Sequence, residues 1–327
     1  MRSFSGTSLP VMAVAALATT AAFLAAGCGQ VSQLKGRKSY KDANAAYQTQ
    51  DYKKAAELYK ATVEADADAK ETLPAYFFLA NSLDNLYKPS KKGDAPNDQL
   101  MTDAVKNYQL AADKLNASDN ADYKKLGKLS LQYLVAAYGT DKLNDPGKAE
   151  PVLQNMIRAE PGDPANYFML ARLYEDAGEA EEAERIFLAA KDSKPADASV
   201  YTSLASFYNR QGKFTKTIDA LEQRAEREST NPEAWQTIAV YYQDEARKDP
   251  RLRENERRDY ILKGIAAVDK ALRIKPDYAD AMTYKGLLLR LQANLEKSPA
   301  EQQKLLKQAD ELRDKSEEIR KKKAAGA

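Results

Sequence analysis

Histidine, the side chain that most often moves a proton near neutral pH, is absent from the 327 residues, and cysteine occurs once, at position 28. One thiol allows no disulfide within the chain. With no imidazole beside it, no Cys/His zinc site can be assembled either. Carboxylates, amines and hydroxyls are what remain for chemistry, and their spacing favours structure. Glu181-Glu182 sit on a charged, helix-spaced face that water reaches, whereas acid–base work needs a carboxyl with a tuned environment. Ser118-Asp119-Asn120-Ala121-Asp122 lacks the ligand spacing and closing glutamate of a calcium loop and suits the caps of a helix start. Gly212-Lys213 is followed by Phe214 without the upstream glycine of a phosphate loop, so it reads as a turn between helices. No catalytic, cofactor-binding or metal-binding residue is expected. The alternative is an enzyme, or an accessory subunit of one, with an unrecognised carboxylate site. A mutually close, inward-facing Asp/Glu pair in a closed pocket would mark it.

The elements that position these residues follow from the bulk composition and a repeat. Hydrophobic residues make up 43% and charged residues 30%, as in a folded chain rather than a membrane bundle or a disordered tail. Lys+Arg 50 against Asp+Glu 48 leaves no field to gather a polyanion, so nucleic acid is not an expected partner. The 19 tyrosines suit half-buried helix contacts, apolar on the ring and polar at the tip.

Before the repeat comes an address. A single charge, Arg2, precedes the apolar run Val11–Ala26, which is too short to span a bilayer comfortably and has the shape of a secretory signal over residues 1–27. It ends in Leu24-Ala25-Ala26-Gly27-Cys28, which resembles the lipobox of bacterial lipoproteins. That resemblance implies cleavage before Cys28, diacylglycerol on its sulfur and an acylated N-terminus, hence membrane attachment through the lipid. An ordinary signal peptide with a coincidental cysteine is the other reading. Gly29, where enterobacterial sorting uses aspartate to retain a lipoprotein in the inner membrane, points the resemblance to the periplasmic face of the outer membrane. Lys91-Lys92 and Arg257-Arg258 could touch anionic headgroups, but the Asp and Glu interleaved with them argue for ordinary loops.

Steps of 34 residues align Tyr167, Tyr201 and Trp235, then Leu170, Leu204 and Ile238, then Ala171, Ala205 and Ala239, then Tyr174, Tyr208 and Tyr242. Within a unit these fall at i, i+3, i+4 and i+7, one face of a first helix. Gly178 and Gly212 mark the turn, and Ala183, Phe187 and Ala190 form the packing face of a second helix. Pro161, Pro195 and Pro276 stop second helices, and Asn231-Pro232 caps a first one. A helix-turn-helix unit of this length and pattern resembles the tetratricopeptide repeat. The resemblance implies an all-α, right-handed superhelical solenoid of about seven units over residues 39–298, after a tether over 28–38. Its units are interrupted at 88–99 and around 247–260. Thr217 and Arg224, where small residues are expected, suggest a displaced second helix in the fifth unit. Residues 299–327 read as a polar capping helix and tail, and the stripe Leu305, Ala309, Leu312, Ser316, Ile319 leaves a coiled-coil seam as the alternative.

In the resembled family the first helices line a concave groove that holds protein partners. That register proposes Phe77, Asn81, Phe168, Arg172, Thr202, Ser206, Asn209, Gln236 and Gln243 as the lining, suited to an extended peptide or a partner helix. The organisation, a lipid anchor followed by repeats, is similar to that of lipoproteins that assemble outer-membrane barrels or pilot pilus secretins. It implies a scaffold in envelope assembly.

Overall fold

The computed structural model describes residues 31–326. The expected signal peptide and the lipidation site Cys28 lie outside the described residues. Helix α1 covers 31–48. It is followed by α2 (Tyr52–Ala65), α3 (Ala75–Leu86), α4 (Ala95–Asn116), α5 (Ala121–Ala137), α6 (Pro146–Ala159) and α7 (Pro164–Asp176). Then come α8 (Ala180–Ser193), α9 (Ala198–Arg210), α10 (Phe214–Arg227), α11 (Pro232–Lys248), α12 (Glu254–Ile274), α13 (Ala279–Ala293) and α14 (Pro299–Ala324). Among the described residues the fold is all-α, built of helix-turn-helix pairs as in a solenoid repeat. No described helix is long and apolar enough to cross a membrane. Packing divides the chain into two compact units that meet in sequence between Met156 and Ile157.

The punctuation of the helices is local chemistry. Asp163, Asp197 and Asn231 accept hydrogen bonds from the backbone N–H two residues on, at 3.1, 3.0 and 3.0 Å, satisfying donors that a helix start leaves open. Pro164 and Pro232 fill first-turn positions that need no donor. Gly178 and Gly212 turn the chain at φ +80° and +67°, where a Cβ would strain the backbone. Two tyrosines of the column then tie a helix start to the end before it: the Tyr167 hydroxyl donates to the Pro161 carbonyl at 3.1 Å, and Tyr201 repeats the bond to Pro195 at 2.9 Å.

In the first unit, Tyr59, Tyr108, Met101, Leu115 and Leu134 are fully buried among alanines, which let the helices approach closely. The α4–α5 crossing is tightest at Gly127, whose missing side chain leaves room for Asn116; a Cβ there would stand 3.0 Å from the Asn116 backbone nitrogen. In the second unit Phe187 and Phe207 meet at 5.0 Å, with Ile238, Ile261 and Leu288 buried farther along the chain.

Several expectations are revised. The expected tether is helical from residue 31: Ser32 donates to the Ala65 carbonyl at 2.5 Å, and bare Gly36 lets α1 close on Ala65. The interruption at 88–99 shrinks because α4 starts at Ala95, and buried Asn97 grips the preceding loop through the Lys88 N–H and the Lys88 and Lys91 carbonyls. The charged stretch around 247–260 lengthens α11 and α12 instead of separating them widely. Arg258 is spent on Glu296 at 2.6 Å and the Leu295 carbonyl at 2.8 Å. In the fifth unit α10 packs on α9 in the ordinary way: the Thr217 hydroxyl donates to the Lys213 carbonyl, which makes it tolerable in the core. Finally, α14 is the second helix of a pair with α13. Gly286 of α13 faces Ala309 and Leu312, and Ala309 and Ser316 are buried, so the apolar stripe is turned inward.

Candidate functional site

In the second unit, α9, α11 and α13 share a concavity of about 640 Å³. Asn209 stands at its α9 edge, Val240, Gln243, Asp244 and Arg247 come from α11, and Tyr284 and Leu287 from α13. Leu287 is 40% exposed, one of few large apolar side chains open to water in the described residues. It lies five residues after Met282, as Val240 lies five after Trp235, Ser206 five after Tyr201 and Arg172 five after Tyr167. One register position therefore changes from polar to apolar along the chain. The face is amphipathic, with an aliphatic floor and a rim of amides and charges.

The rim charges are mostly spoken for. Asp244 accepts from Lys248 at 2.6 Å and Arg247 at 2.9 Å; burial pushes its carboxyl up, but these cations prevail and hold it below the usual range. Glu245 differs. Burial, then the charge of Asp249, raise its carboxyl above the ordinary value, and no described cation forms an ion pair with it. It is the rim carboxylate best placed to receive a base.

Of the residues proposed from sequence, this concavity brings together Asn209 and Gln243. Thr202 and Ser206 are half-buried on α9, and the Thr202 hydroxyl donates to the Ala198 carbonyl. Phe168 packs its ring 6.1 Å from Phe187. Arg172 is exposed but bound to Asp176 at 3.0 Å and Glu175 at 3.6 Å, and Glu175 also takes both nitrogens of a fork from Arg210 at 2.7 and 2.8 Å. Gln236 and Gln243 are both buried, but Gln243 borders the concavity and Gln236 does not, so the place of Gln236 in the lining is withdrawn.

Phe77 and Asn81 are corrected as well. In the first unit the same register faces inward because large rings fill the space: Tyr133 of α5 meets Phe77 at 5.7 Å and stacks on Tyr108 at 5.5 Å. Asn81 accepts from the Tyr47 hydroxyl at 2.7 Å and donates to the Tyr108 oxygen at 3.3 Å. Tyr108 donates to Asp84 at 3.2 Å, and the Asp84 carboxylate receives Lys142 at 2.6 and 2.9 Å. The chain is a satisfied polar core. Burial, then Asp84, push the Tyr108 hydroxyl far above its ordinary pKa, so it stays a donor.

A second cleft, of about 450 Å³, opens beside α10, α11 and α12 over Trp235, Phe214, Tyr242 and Tyr260. Lys270 covers the Trp235 ring at 3.9 Å, as Arg227 covers Tyr201 at 3.9 Å, so the tryptophan fills a structural position shared by the repeats. Among the described residues no cluster of three Cys, Asp or Glu could hold a metal. The Asn120 side chain caps α5 by accepting from Asp122 and Tyr123, and Lys213 binds Glu184 at 2.8 Å beside the Gly212 turn.

The family profile described as Tetratricopeptide repeat matches residues 142–207. No curated protein sequence matches the chain. Among solved structures, a crystal structure of MamA is 21% identical, covering 56% of this chain and 92% of its own with a TM-score of 0.38. MamA from Desulfovibrio magneticus RS-1 is 16% identical over 60% and 95%, TM-score 0.38. A tetratricopeptide repeat protein from Parabacteroides merdae is 11% identical over 84% and 99%, TM-score 0.42. The matched segment lies on α6 to α9, so residues 142–207 are similar to the tetratricopeptide repeat, and the helix-turn-helix pairs on either side are of the same kind.

Proposed function

We propose that the protein is a lipid-anchored scaffold on the periplasmic face of a bacterial outer membrane, holding a segment of a protein partner in the second unit's concavity during envelope assembly. The observation that carries the binding half is the aliphatic pair Val240 and Leu287 on the floor, within a rim that includes Asn209, Gln243 and the unpaired Glu245. A partner segment would set apolar side chains on that floor, bond its backbone or polar groups to the amides and bring a Lys or Arg to Glu245. Support for the anchor comes from Leu24-Ala25-Ala26-Gly27-Cys28, and for the outer membrane from Gly29.

Site-specific photocrosslinking from position 287 in intact cells is the test of the binding half. A discrete protein adduct is expected, and it should fall at least about tenfold in Val240→Lys and Glu245→Gln chains, because both an apolar contact and a charge would be lost. Adducts of unchanged yield in both variants would rule out this concavity. For the anchor, wild-type chain from membranes should carry acyl mass on Cys28, and Cys28→Ser should be released from them; an unmodified Cys28 would refute it.

A further inference from the structure

The first three turns of α1 present a face that nothing in the repeat architecture uses. Val31, Leu34, Lys35, Lys38 and Lys41 follow one another at i, i+3, i+4, i+7 and i+10, so all five share a stripe about 15 Å long. All are exposed, Val31 at 53% and Leu34 at 66%, two of the few open aliphatic side chains in the described residues. The opposite face holds the packing: Gly36, Ala43 and Ala46 are buried against the unit.

Charge is as one-sided as apolarity. Residues 31–41 contain Lys35, Arg37, Lys38 and Lys41 and no acid; Asp42 is the first, at the end of the stripe away from Cys28. Arg37 is taken by Glu71 at 3.3 Å, whereas no described carboxylate pairs with Lys35, Lys38 or Lys41. The Ser32 bond to Ala65 fastens this turn to α2, so the stripe is a fixed surface of the first unit.

We infer that this stripe is a docking surface for an anionic lipid bilayer. Val31 and Leu34 would enter the interface between headgroups and acyl chains, and the three lysines would lie among anionic phosphates. An amphipathic helix binds membranes by adding a short apolar edge to a basic face. The lysine stems also let the ammonium groups reach outward while their methylenes cover apolar surface. The place of the stripe in the cell rests on the lipid-anchored reading of Cys28, three residues before Val31, but its chemistry does not. Acyl chains alone fix a point and leave the protein free to swivel. A second contact on α1 would fix the orientation of the first unit against the membrane.

The chain from Gly29 to Ala327 holds every described element and cannot be acylated at Cys28. It should co-sediment with vesicles of equal parts phosphatidylglycerol and phosphatidylcholine and not with pure phosphatidylcholine. Each lysine near such a surface is worth roughly a factor of five, so Lys35→Gln/Lys38→Gln/Lys41→Gln should lower the partition coefficient by roughly 100-fold. Val31→Ser/Leu34→Ser should lower it by about tenfold or more. All these positions are exposed, and unchanged circular dichroism should show that the variants fold. Lys91→Gln/Lys92→Gln should bind as the unchanged chain does. Undiminished binding by the triple variant, equal binding to neutral vesicles, or full displacement by inorganic phosphate at matched ionic strength would each overturn the proposal. Intact mass of the full-length protein separates it from the anchor. Unmodified Cys28 with vesicle binding sinks the anchor alone, and acylated Cys28 without vesicle binding sinks the stripe alone.

Discussion

Lys142→Ala is expected to cost the first unit about 3 kcal/mol, far more than loss of a surface ion pair, because it strands a buried carboxylate. Asp84 is 7% exposed at its side chain, and Lys142, at 20%, comes from the loop between α5 and α6 to bind both of its oxygens. Without the ammonium, Asp84 keeps only the Tyr108 hydroxyl, a single neutral donor for a charge shut away from water. Asp84→Asn should cost less, since an amide remains able to accept from Tyr108 and Lys142 keeps a route to solvent. Urea unfolding would rank the two, and hydrogen exchange should show the loss in α3 and the α5–α6 loop. A Lys142→Ala chain within about 1 kcal/mol of wild type would mean that water already screens the pair.

Glu184→Gln should destabilise the second unit by about 2 kcal/mol at neutral pH, and the cost should vanish in acid. Burial works to raise the Glu184 carboxyl, but hydrogen bonds from Lys213, Lys216 and Tyr208 overcome it and hold the group at about 2. The folded value is thus below the ordinary 4.5. The stabilisation is complete above 4.5 and drains away as pH falls towards 2, where wild type and variant should converge. Three separate elements meet at this carboxylate: α8 supplies it, α9 supplies Tyr208, and α10 with its preceding turn supplies the lysines. Urea midpoints measured from neutral pH down to about pH 2 would decide the matter. A constant difference between the two chains across that range would exclude a titrating Glu184 as its source.

The repeat was legible because small and aromatic residues return at fixed distances. Tyr167, Tyr201 and Trp235 mark the start of a helix by identity alone, and Asn231-Pro232 marks a cap. Lengthened helices were not, since Arg247 and Arg257 carry no helical signature beyond their charge; their turns exist because α11 and α12 continue to pack past the usual end. The groove register failed at Phe77 because its burial depends on Tyr108 and Tyr133, which come from helices far along the chain. The run Phe77-Phe78 within an apolar α3 was the available sign, as a helix apolar on more than one face is normally enclosed. The apolar floor was missed for the opposite reason: Val240 and Leu287 occupy the position of Arg172 and Ser206, and a search for polar binding residues passes over them.

The tyrosine-to-proline bonds act as callipers. A hydroxyl that must reach a carbonyl six residues earlier tolerates no added residue in between, and the connections so spanned, 160–163 and 194–197, match 117–120, 228–231 and 275–278 in length, whereas across the longer 66–74 the Tyr76 hydroxyl reaches back nine residues to the Ala67 carbonyl. The connections inside pairs obey no such gauge. They run from three residues at 211–213 to eight at 87–94 and 138–145. From α4 onward, variation in length therefore falls at the hairpin ends of the pairs, where a lineage could lengthen or trade a loop without disturbing how neighbouring pairs stack.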